Sequence, residues 1–380
     1  MTRIFVILLL TAAAAGLWAQ GWQKVAADYE KNMEYLREKT PPARYSVTDY
    51  KGKVTVREAR PPELGIGIHV IDEKAIEDMK ALGIRSVRTT LWWNTVEKEK
   101  GVLDEEALAG FDRAFGLLTD AGISPLVVVH ENPDFVSFAD RGQAYRDYAE
   151  FMTMCATRWP KVLRWELWNE MDVAFTDVFG AKDPRIPVEA RGRYYAEMLK
   201  VTYPAIKKAN PRATVVLGGV AGDVTPFMEG VYKAGGKGYF DVMNIHTYGM
   251  PLAWSFVNRG LDAQKVMERY GDGEKPIWNT EFGTEAGSYI AAWGKPDSLE
   301  EFDRIQAEYL TELARLNRDC GLYEICFIFQ YRAESEGGKE EIEELGGDPA
   351  DYTYGIMRGN GDPRPAFEAL KQQNINGWGR

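Results

Sequence analysis

The sequence predicts an α/β protein built on a (β/α)8 TIM barrel, because eight apolar stretches of strand length alternate with helix-like segments. Strands that alternate with helices pair in parallel, and eight such units are the number that closes a barrel. One intervening segment, 107–118, places its apolar residues at helical spacing on one face, as expected of a helix packed on a sheet. The predicted strands are residues 64–69, 86–91, 125–130, 163–170, 214–218, 242–248, 276–281 and 324–330.

Length and charge limit the architecture and the partners. The 380 residues exceed the usual size of a single core but fit one barrel with loop insertions. The formal net charge of −11 argues against nucleic acid and anionic membranes as partners, because both require a basic surface. The cysteines, Cys155, Cys320 and Cys326, show no metal or redox spacing. We therefore expect one catalytic barrel over residues 63–380.

The first residues have the pattern of a secretory signal peptide. Arg3 precedes an apolar run, 4–10, and a small-residue stretch ends at Ala19, a plausible cleavage position. The alternative is an uncleaved anchor, but the stretch 4–19 is shorter than the roughly 20 residues of a spanning helix. We expect residues 1–19 to be removed and the mature protein, without an integral membrane span, to be periplasmic or extracellular.

A short extension, residues 20–62, precedes the barrel. It contains a helix-like segment, 22–38, and a predicted hairpin, 45–56, that turns at Lys51-Gly52. We expect the hairpin to cover the lower end of the barrel.

Two predicted strands, the fourth and the seventh, end in the glutamates Glu170 and Glu281. A charge at the end of a buried strand is costly unless it faces a polar cavity, and parallel strand ends meet at one face of a barrel. Glycoside hydrolysis uses two carboxyl groups, one as proton donor and one as nucleophile or base. The two strand ends therefore predict a paired-carboxylate active site. Glu166 shares strand parity with Glu170, and we expect it to lie deeper and to pair with a cation such as Arg88.

All three histidines, His69, His130 and His246, fall at the ends of predicted strands. This placement favours one polar face, although three separately hydrogen-bonded histidines and a zinc site are alternatives. The zinc site is disfavoured, because the sequence has neither a His-x-His pair nor a His-Glu-x-x-His helix. We therefore expect no metal and no organic cofactor.

Several motifs occur in the order in which one clan of enzymes carries them. Asn169-Glu170 and residues 279–283, Asn-Thr-Glu-Phe-Gly, resemble the acid/base and nucleophile motifs of the retaining (β/α)8 glycoside hydrolases. That clan contains families 5 (cellulase-like) and 39 (β-xylosidase-like). Arg88 resembles the arginine that supports the nucleophile in this clan, and His130 resembles its third-strand histidine. His246-Thr247-Tyr248 resembles the sixth-strand His-x-Tyr motif. The clan's closing segment is resembled by residues 354–357 and 363–367.

The resemblance implies a retaining β-glycosidase that cleaves an oligosaccharide or polysaccharide, with Glu170 as acid/base and Glu281 as nucleophile, and the pattern of residues 1–19 predicts that it is secreted. Both endo and exo action remain open. Flat aromatic rings stack on sugar faces, so Trp168 and Trp254 are candidate platforms. The predicted substrate-binding residues are Arg88, His130, Asn169, His246, Tyr248, Trp168 and Trp254.

The chain departs from the clan in two places. Met171-Asp172 follows the acid/base motif where many members have proline, and residues 329–331, Phe-Gln-Tyr, stand where the clan has a tryptophan beneath the sugar. A carbohydrate-binding pseudoenzyme is one rival, which the presence of both glutamates with Arg88 and Tyr248 opposes. A metal-dependent barrel hydrolase that uses the histidines as ligands is the other.

Overall fold

The computed structural model describes residues 44–48, 54–58, 62–173, 185–248, 252–285, 298–332 and 354–373, with the single residues Lys31 and Glu343. Eight strands of the described chain form one parallel sheet. They are β1 (Glu63–Gly67), β2 (Ser86–Trp92), β3 (Ser124–His130), β4 (Arg164–Leu167), β5 (Thr214–Leu217), β6 (Met243–Thr247), β7 (Ile277–Phe282) and β8 (Ile325–Ile328).

The strand order shows a barrel. It runs β6-β7-β8-β1-β2-β3-β4-β5, so each strand lies beside its neighbour in the sequence. The two ends of this order meet, because Val216 pairs with Val242 and Val220 pairs with Ile245 in isolated parallel bridges. The predicted (β/α)8 barrel is confirmed, and each predicted strand overlaps an observed one.

A helix follows each strand. Asp72, Asp104 and Ser298 begin three of these helices, since each side chain accepts a backbone N–H of the first turn. The helices are α1 (Glu73–Leu82), α2 (Glu105–Asp120), α3 (Arg141–Arg158), α4 (Val188–Ala209), α5 (Val224–Lys233), α6 (Leu252–Arg269), α7 (Leu299–Cys320) and α8 (Pro365–Gln372). Smaller elements are the one-turn helix Trp93–Val96, the hairpin of Glu97–Glu99 with Val102–Leu103, and the 3-10 turn Phe138–Asp140.

The inside of the barrel carries both apolar and charged side chains. Arg88 pairs in register with Leu126, and Glu166 pairs with Val216. Partners on neighbouring strands point to the same side of a sheet, so Arg88 and Glu166 project inward with the apolar residues beside them. A buried apolar cluster separate from the main core contains those two partners; its members are Leu126, Val216, Val242, Trp278, Ile325 and Phe327.

Part of the predicted extension is described. Arg44–Thr48 pairs antiparallel with Val54–Glu58, which agrees with the predicted hairpin. The predicted helix 22–38, apart from Lys31, and the predicted signal peptide 1–19 lie outside the described residues. The domain boundaries and the covering role of the hairpin therefore remain predictions. Among the described helices, none combines the length and apolar character needed to cross a bilayer.

Candidate active site

Four strands bring charged and polar side chains to one point at the barrel mouth. Arg88 comes from β2, Glu170 follows β4, His246 lies on β6 and Glu281 lies on β7. Arg88 donates to Glu281, and Nδ1 of His246 lies 2.8 Å from Oε1 of Glu170 and 3.5 Å from Oε2 of Glu281. The two glutamates singled out in the sequence therefore share one site.

Glu281 is a buried carboxylate whose two oxygens are both held. Nη1 of Arg88 donates to Oε1 at 2.5 Å, and the phenol of Tyr248 donates to Oε2 at 2.6 Å. Burial alone would raise the pKa of this carboxyl, but the positive charges of His246 and Arg88 and the two hydrogen bonds outweigh burial and lower it. Glu281 is therefore an oriented anion, the state in which a carboxylate attacks as a nucleophile.

Arg88 joins Glu281 to a deeper carboxylate. Its Nε and Nη2 donate to the two oxygens of Glu166 at 2.8 and 2.9 Å, and Nη2 also donates to Oδ1 of Asn169 at 2.8 Å. Glu166 is fully buried, so its predicted position and its pairing with Arg88 are confirmed. Burial would lower the pKa of Arg88, but the two carboxylates raise it, which keeps the guanidinium charged.

The turn after β4 contains two residues in the left-handed backbone region. Trp168 has φ +70° and Glu170 has φ +48°, values that residues other than glycine seldom adopt. The N–H of Trp168 donates to the carbonyl of Val129, and that of Glu170 donates to the carbonyl of Gly219, both at 3.1 Å. Such conformations persist only where their surroundings fix them, and they concentrate at functional sites.

His246 lies between the glutamates. Its Nδ1 faces Glu170 and its Nε2 lies 3.0 Å from Oγ1 of Thr280. Burial alone would lower the pKa of His246, but the charge of Glu281 and the hydrogen bond with Glu170 outweigh burial and raise it. The ring has room because residue 219 is glycine: a Cβ there would lie 1.8 Å from Nε2.

A shift in strand register allows two consecutive residues to face the site. Side chains alternate along a regular strand, so Thr280 and Glu281 should point in opposite directions. The pairing of β7, however, shifts register against both β6 and β8. Thr280 consequently reaches His246 while Glu281 reaches Arg88. Irregular pairing of this kind is frequent beside active sites, where it redirects a side chain.

The opposite pKa shifts of His246 and Glu281 predict opposite stability profiles. The pKa of His246 is raised above its ordinary 6.5, so its stabilising effect is complete below pH 6.5 and is lost as pH rises through the folded-state pKa. We expect the melting temperature of His246→Gln to fall below that of the wild type most in weak acid and least at alkaline pH. Thermal denaturation at a series of pH values measures this.

Glu281→Gln provides the opposing trend in the same experiment. The pKa of Glu281 lies below its ordinary 4.5, so its stabilising effect is complete above pH 4.5 and is lost as pH falls through the folded-state pKa. The deficit of this variant should therefore shrink in acid. Parallel curves for both variants and the wild type would contradict the two shifts.

Within the described residues, Glu170, His246 and Glu281 also form a group of potential metal ligands, with one ligand atom of each within 4.8 Å of the others. His246 and Glu281 already use their ligand atoms, since both ring nitrogens and both carboxylate oxygens lie in hydrogen bonds. A cation there would have to displace these contacts.

The other two histidines lie at the same end of the barrel. His130 is the last residue of β3, and its Nδ1 lies 3.2 Å from Oε1 of Glu131. His69 follows β1, and its ring stacks on Trp92 with centroids 6.0 Å apart and an interplanar angle of 14°. Trp92 is 37 % exposed, so it offers an accessible ring that the sequence interpretation did not favour.

Of the two predicted stacking tryptophans, only Trp168 has a described side chain. Trp168 is 4 % exposed and packs edge-on against Tyr148 and Phe138, at 5.4 and 6.2 Å between ring centroids. Its ring therefore presents little surface to a sugar, and this burial argues against the predicted role. Trp254 lies in the first turn of α6, which begins at Leu252. Its side chain lies outside the described part of the chain, so its role remains a prediction.

An aromatic group stands where the clan has the tryptophan after β8. The ring centroid of Phe329, which is partly exposed, lies 6.3 Å from that of Tyr248, 5.4 Å from that of Tyr354 and 6.4 Å from that of His69. Tyr331 is buried and takes no part in this surface. Phe329 therefore stands at the place of the expected tryptophan, with its ring against that of Tyr248.

Sequence reasoning missed Thr280 and Gly219. The adjacent pair Gly218-Gly219 at the end of the fifth predicted strand was the available indication for Gly219, since glycine permits close approach of another group. Thr280 had no such indication, because its role depends on the register shift.

Comparison with known proteins agrees with the barrel fold. The structure resembles a family 39 glycoside hydrolase from Bacteroides cellulosilyticus WH2, with TM-score 0.60, 20 % identity, and coverage of 87 % of this chain and 69 % of that one. It also resembles a monomeric β-xylosidase from Caulobacter crescentus CB15, with TM-score 0.58, 22 % identity and coverage of 83 % and 69 %. GH5_18 from Streptomyces cattleya, solved with GlcNAc, gives TM-score 0.62, 15 % identity and coverage of 84 % and 81 %.

A family model defines the protein further. Residues 51–314, more than half of the chain, match the model of cellulase, glycosyl hydrolase family 5. The protein is thus an enzyme that acts on glycosidic bonds, with a carbohydrate as its substrate. It belongs to the cellulase family, glycosyl hydrolase family 5. A search of curated proteins finds no match.

Proposed function

We propose that the protein hydrolyses a β-glycosidic bond with net retention of configuration, with Glu170 as acid/base and Glu281 as nucleophile. One observation carries the proposal: a carboxylate oxygen of Glu170 lies within 4.8 Å of one of Glu281. Retaining enzymes separate their two carboxyl groups by about 5 to 5.5 Å, whereas inverting enzymes leave about 6.5 to 9.5 Å for a water molecule. The short separation supports retention.

The contacts support different roles for the two glutamates. Glu281 is an anion aimed by Arg88 and Tyr248, so in the first step it attacks the anomeric carbon. Glu170 protonates the departing glycosidic oxygen in that step, and in the second step it deprotonates the water that releases the sugar. Nδ1 of His246, 2.8 Å from Oε1 of Glu170, holds the carboxyl group of Glu170 in place for both steps.

Two polar residues orient the sugar in this proposal. Asn169 accepts from Arg88 through its Oδ1, which turns its amide nitrogen away from Arg88 as a donor for the 2-hydroxyl. Hydrogen bonds to that hydroxyl strengthen as charge develops on the ring. His130 is proposed as a further substrate contact from the neighbouring strand β3.

The stereochemical outcome tests the proposal. Purified protein is screened against aryl β-glycosides and against plant, algal and bacterial polysaccharides, and the first anomer released from a cleaved substrate is followed by proton NMR. We expect the β anomer to form first and to mutarotate afterwards. Initial release of the α anomer would overturn the retaining assignment, and loss of turnover in EDTA would favour the metal-dependent alternative.

Export is proposed as well, on the strength of the pattern in residues 1–19. Expression in a bacterial host should yield a periplasmic or secreted protein whose amino terminus is residue 20. An unprocessed chain in the cytoplasm would contradict this.

A further inference from the structure

The loop after β5, residues 218–222, contacts both Glu170 and His246. On one side, the N–H of Glu170 donates to the carbonyl of Gly219 at 3.1 Å. On the other, the N–H of His246 donates to the carbonyl of Val220 at 3.0 Å, and the ring of His246 lies against Gly219. A displacement of this loop would therefore move Glu170 and its hydrogen-bond partner His246 together, because the loop carbonyls accept the backbone N–H of each.

Asp172 fastens the far end of this loop. Its carboxylate is 2 % exposed and accepts the backbone N–H of Ala221 at 3.0 Å together with that of Gly222. Charge-assisted hydrogen bonds from backbone donors are among the stronger ones in proteins, and a buried carboxylate without them would be costly. Asp172 thus ties the turn that carries Glu170 to the loop after β5.

Arg259 fastens the same loop from α6. Its Nε donates to the carbonyl of His246 at 3.0 Å, and its Nη2 donates to the carbonyl of Val220 at 2.9 Å. The loop is consequently held at Val220 by the guanidinium group of Arg259 and at Ala221 and Gly222 by the carboxyl group of Asp172.

The turn between β4 and Asp172 depends on such fastening. Trp168 and Glu170 both occupy the left-handed region, which costs free energy for residues with a Cβ. The turn would relax toward ordinary conformations if its supports were loosened, and a relaxed turn would carry the carboxyl of Glu170 away from its place beside His246.

We propose that Asp172 is a positioning residue for proton transfer, which holds Glu170 within reach of the glycosidic oxygen through the loop 218–222. The inference rests on the proposed function, in which Glu170 is the acid/base. A general acid must come within hydrogen-bond distance, about 2.6 to 3.2 Å, of the atom that it protonates. Asp172 is buried and both of its carboxylate oxygens accept N–H groups of the loop, so its effect should appear only in steps that need the proton.

The dependence on the leaving group separates this role from a structural one. A dinitrophenolate leaves without a proton, whereas a methoxide leaves poorly unless protonated. For Asp172→Asn we expect kcat/KM on the methyl β-glycoside to fall by about 10- to 100-fold, which is a part of the usual contribution of a general acid. On the dinitrophenyl β-glycoside of the same sugar, kcat/KM should fall by no more than about threefold.

Asp241→Asn is the matched control. Asp241 is also a buried carboxylate that accepts a backbone N–H beside β5, that of Val215 at 2.8 Å, but it precedes β6 at the amino end of the barrel. Its replacement should lower the melting temperature while leaving the ratio of the two kcat/KM values at the wild-type value.

A second variant disturbs the same contact from the loop side. A Cβ at Gly222 would lie 2.7 Å from Oδ2 of Asp172, so Gly222→Ala should displace the carboxylate without removing it. If Asp172→Asn does not fold, Gly222→Ala takes its place in the experiment. Gly222→Ala should change the ratio of the two kcat/KM values in the same direction. Equal losses on both substrates in the variant that folds would overturn the inference.

Glu170→Ala in the same series distinguishes the failure of this inference from the failure of the proposed function. If Glu170→Ala shows the leaving-group dependence and the Asp172 and Gly222 variants do not, the positioning role is wrong and the acid/base assignment stands. If Glu170→Ala shows no dependence, the acid/base assignment fails and the positioning role fails with it.

Discussion

Replacing Glu281 by alanine is expected to lower kcat by about 10⁴-fold or more on every β-glycoside, because no covalent intermediate can form without the attacking carboxylate. The shortened side chain leaves space beside Arg88 and Tyr248, the two donors that hold the wild-type carboxylate. Azide can enter this space and attack the anomeric carbon directly. The product should be the glycosyl azide of inverted configuration, which NMR identifies.

Glu281→Gln is the control for this rescue. The amide has nearly the volume of the carboxylate, so it removes the nucleophile without making room for azide. Both variants should be inactive, and azide should restore turnover in the alanine variant alone. A glycosyl azide of retained configuration from Glu281→Ala would place the nucleophile elsewhere.

Replacing Glu170 by alanine should divide substrates according to their leaving groups. A dinitrophenyl glycoside needs no proton, so Glu281 still forms the glycosyl intermediate and releases one equivalent of phenol rapidly. Turnover should then slow by about 10² to 10⁴, because no base activates water for the second step. Rapid-mixing absorbance should record a burst followed by a slow steady state.

Azide distinguishes the two glutamates in this experiment. It needs no base, so it should release the intermediate of Glu170→Ala and give a glycosyl azide of retained configuration, opposite to the product of Glu281→Ala. Natural glycans should be cleaved far more slowly than by the wild type. Unchanged turnover of natural glycans, or an inverted azide product, would show that Glu170 is not the acid/base.

Much of this site could be predicted from the residues at the ends of the predicted strands. Glu170 and Glu281 were identifiable because each ends an apolar strand, and parallel strands in a closed barrel bring such ends to one face. Inward parity also predicted that Glu166 would lie below them beside Arg88, as it does.

Other features depend on departures from regular geometry. Side chains that alternate along a regular strand cannot place both Thr280 and Glu281 in the site. The register shift that places both there depends on how β7 pairs with β6 and β8. Trp168 has a left-handed φ and a buried ring, although its ring type and its position near the end of a predicted strand made it a plausible sugar platform. Asp172 looked like a minor departure from a motif, because its partners, Ala221 and Gly222, come from a distant segment.

The double attachment of Arg88 bears on how the site keeps its charge balanced during turnover. In the proposed cycle Glu281 becomes a neutral ester when the glycosyl intermediate forms, which takes away one of the two anions beside the guanidinium. A buried guanidinium whose anion had disappeared would be costly. Glu166 keeps two N–H bonds to Arg88 throughout, so the cation stays neutralised while Glu281 alternates between anion and ester. Glu166 therefore acts as a permanent counter-ion, which lowers the electrostatic cost of holding the intermediate.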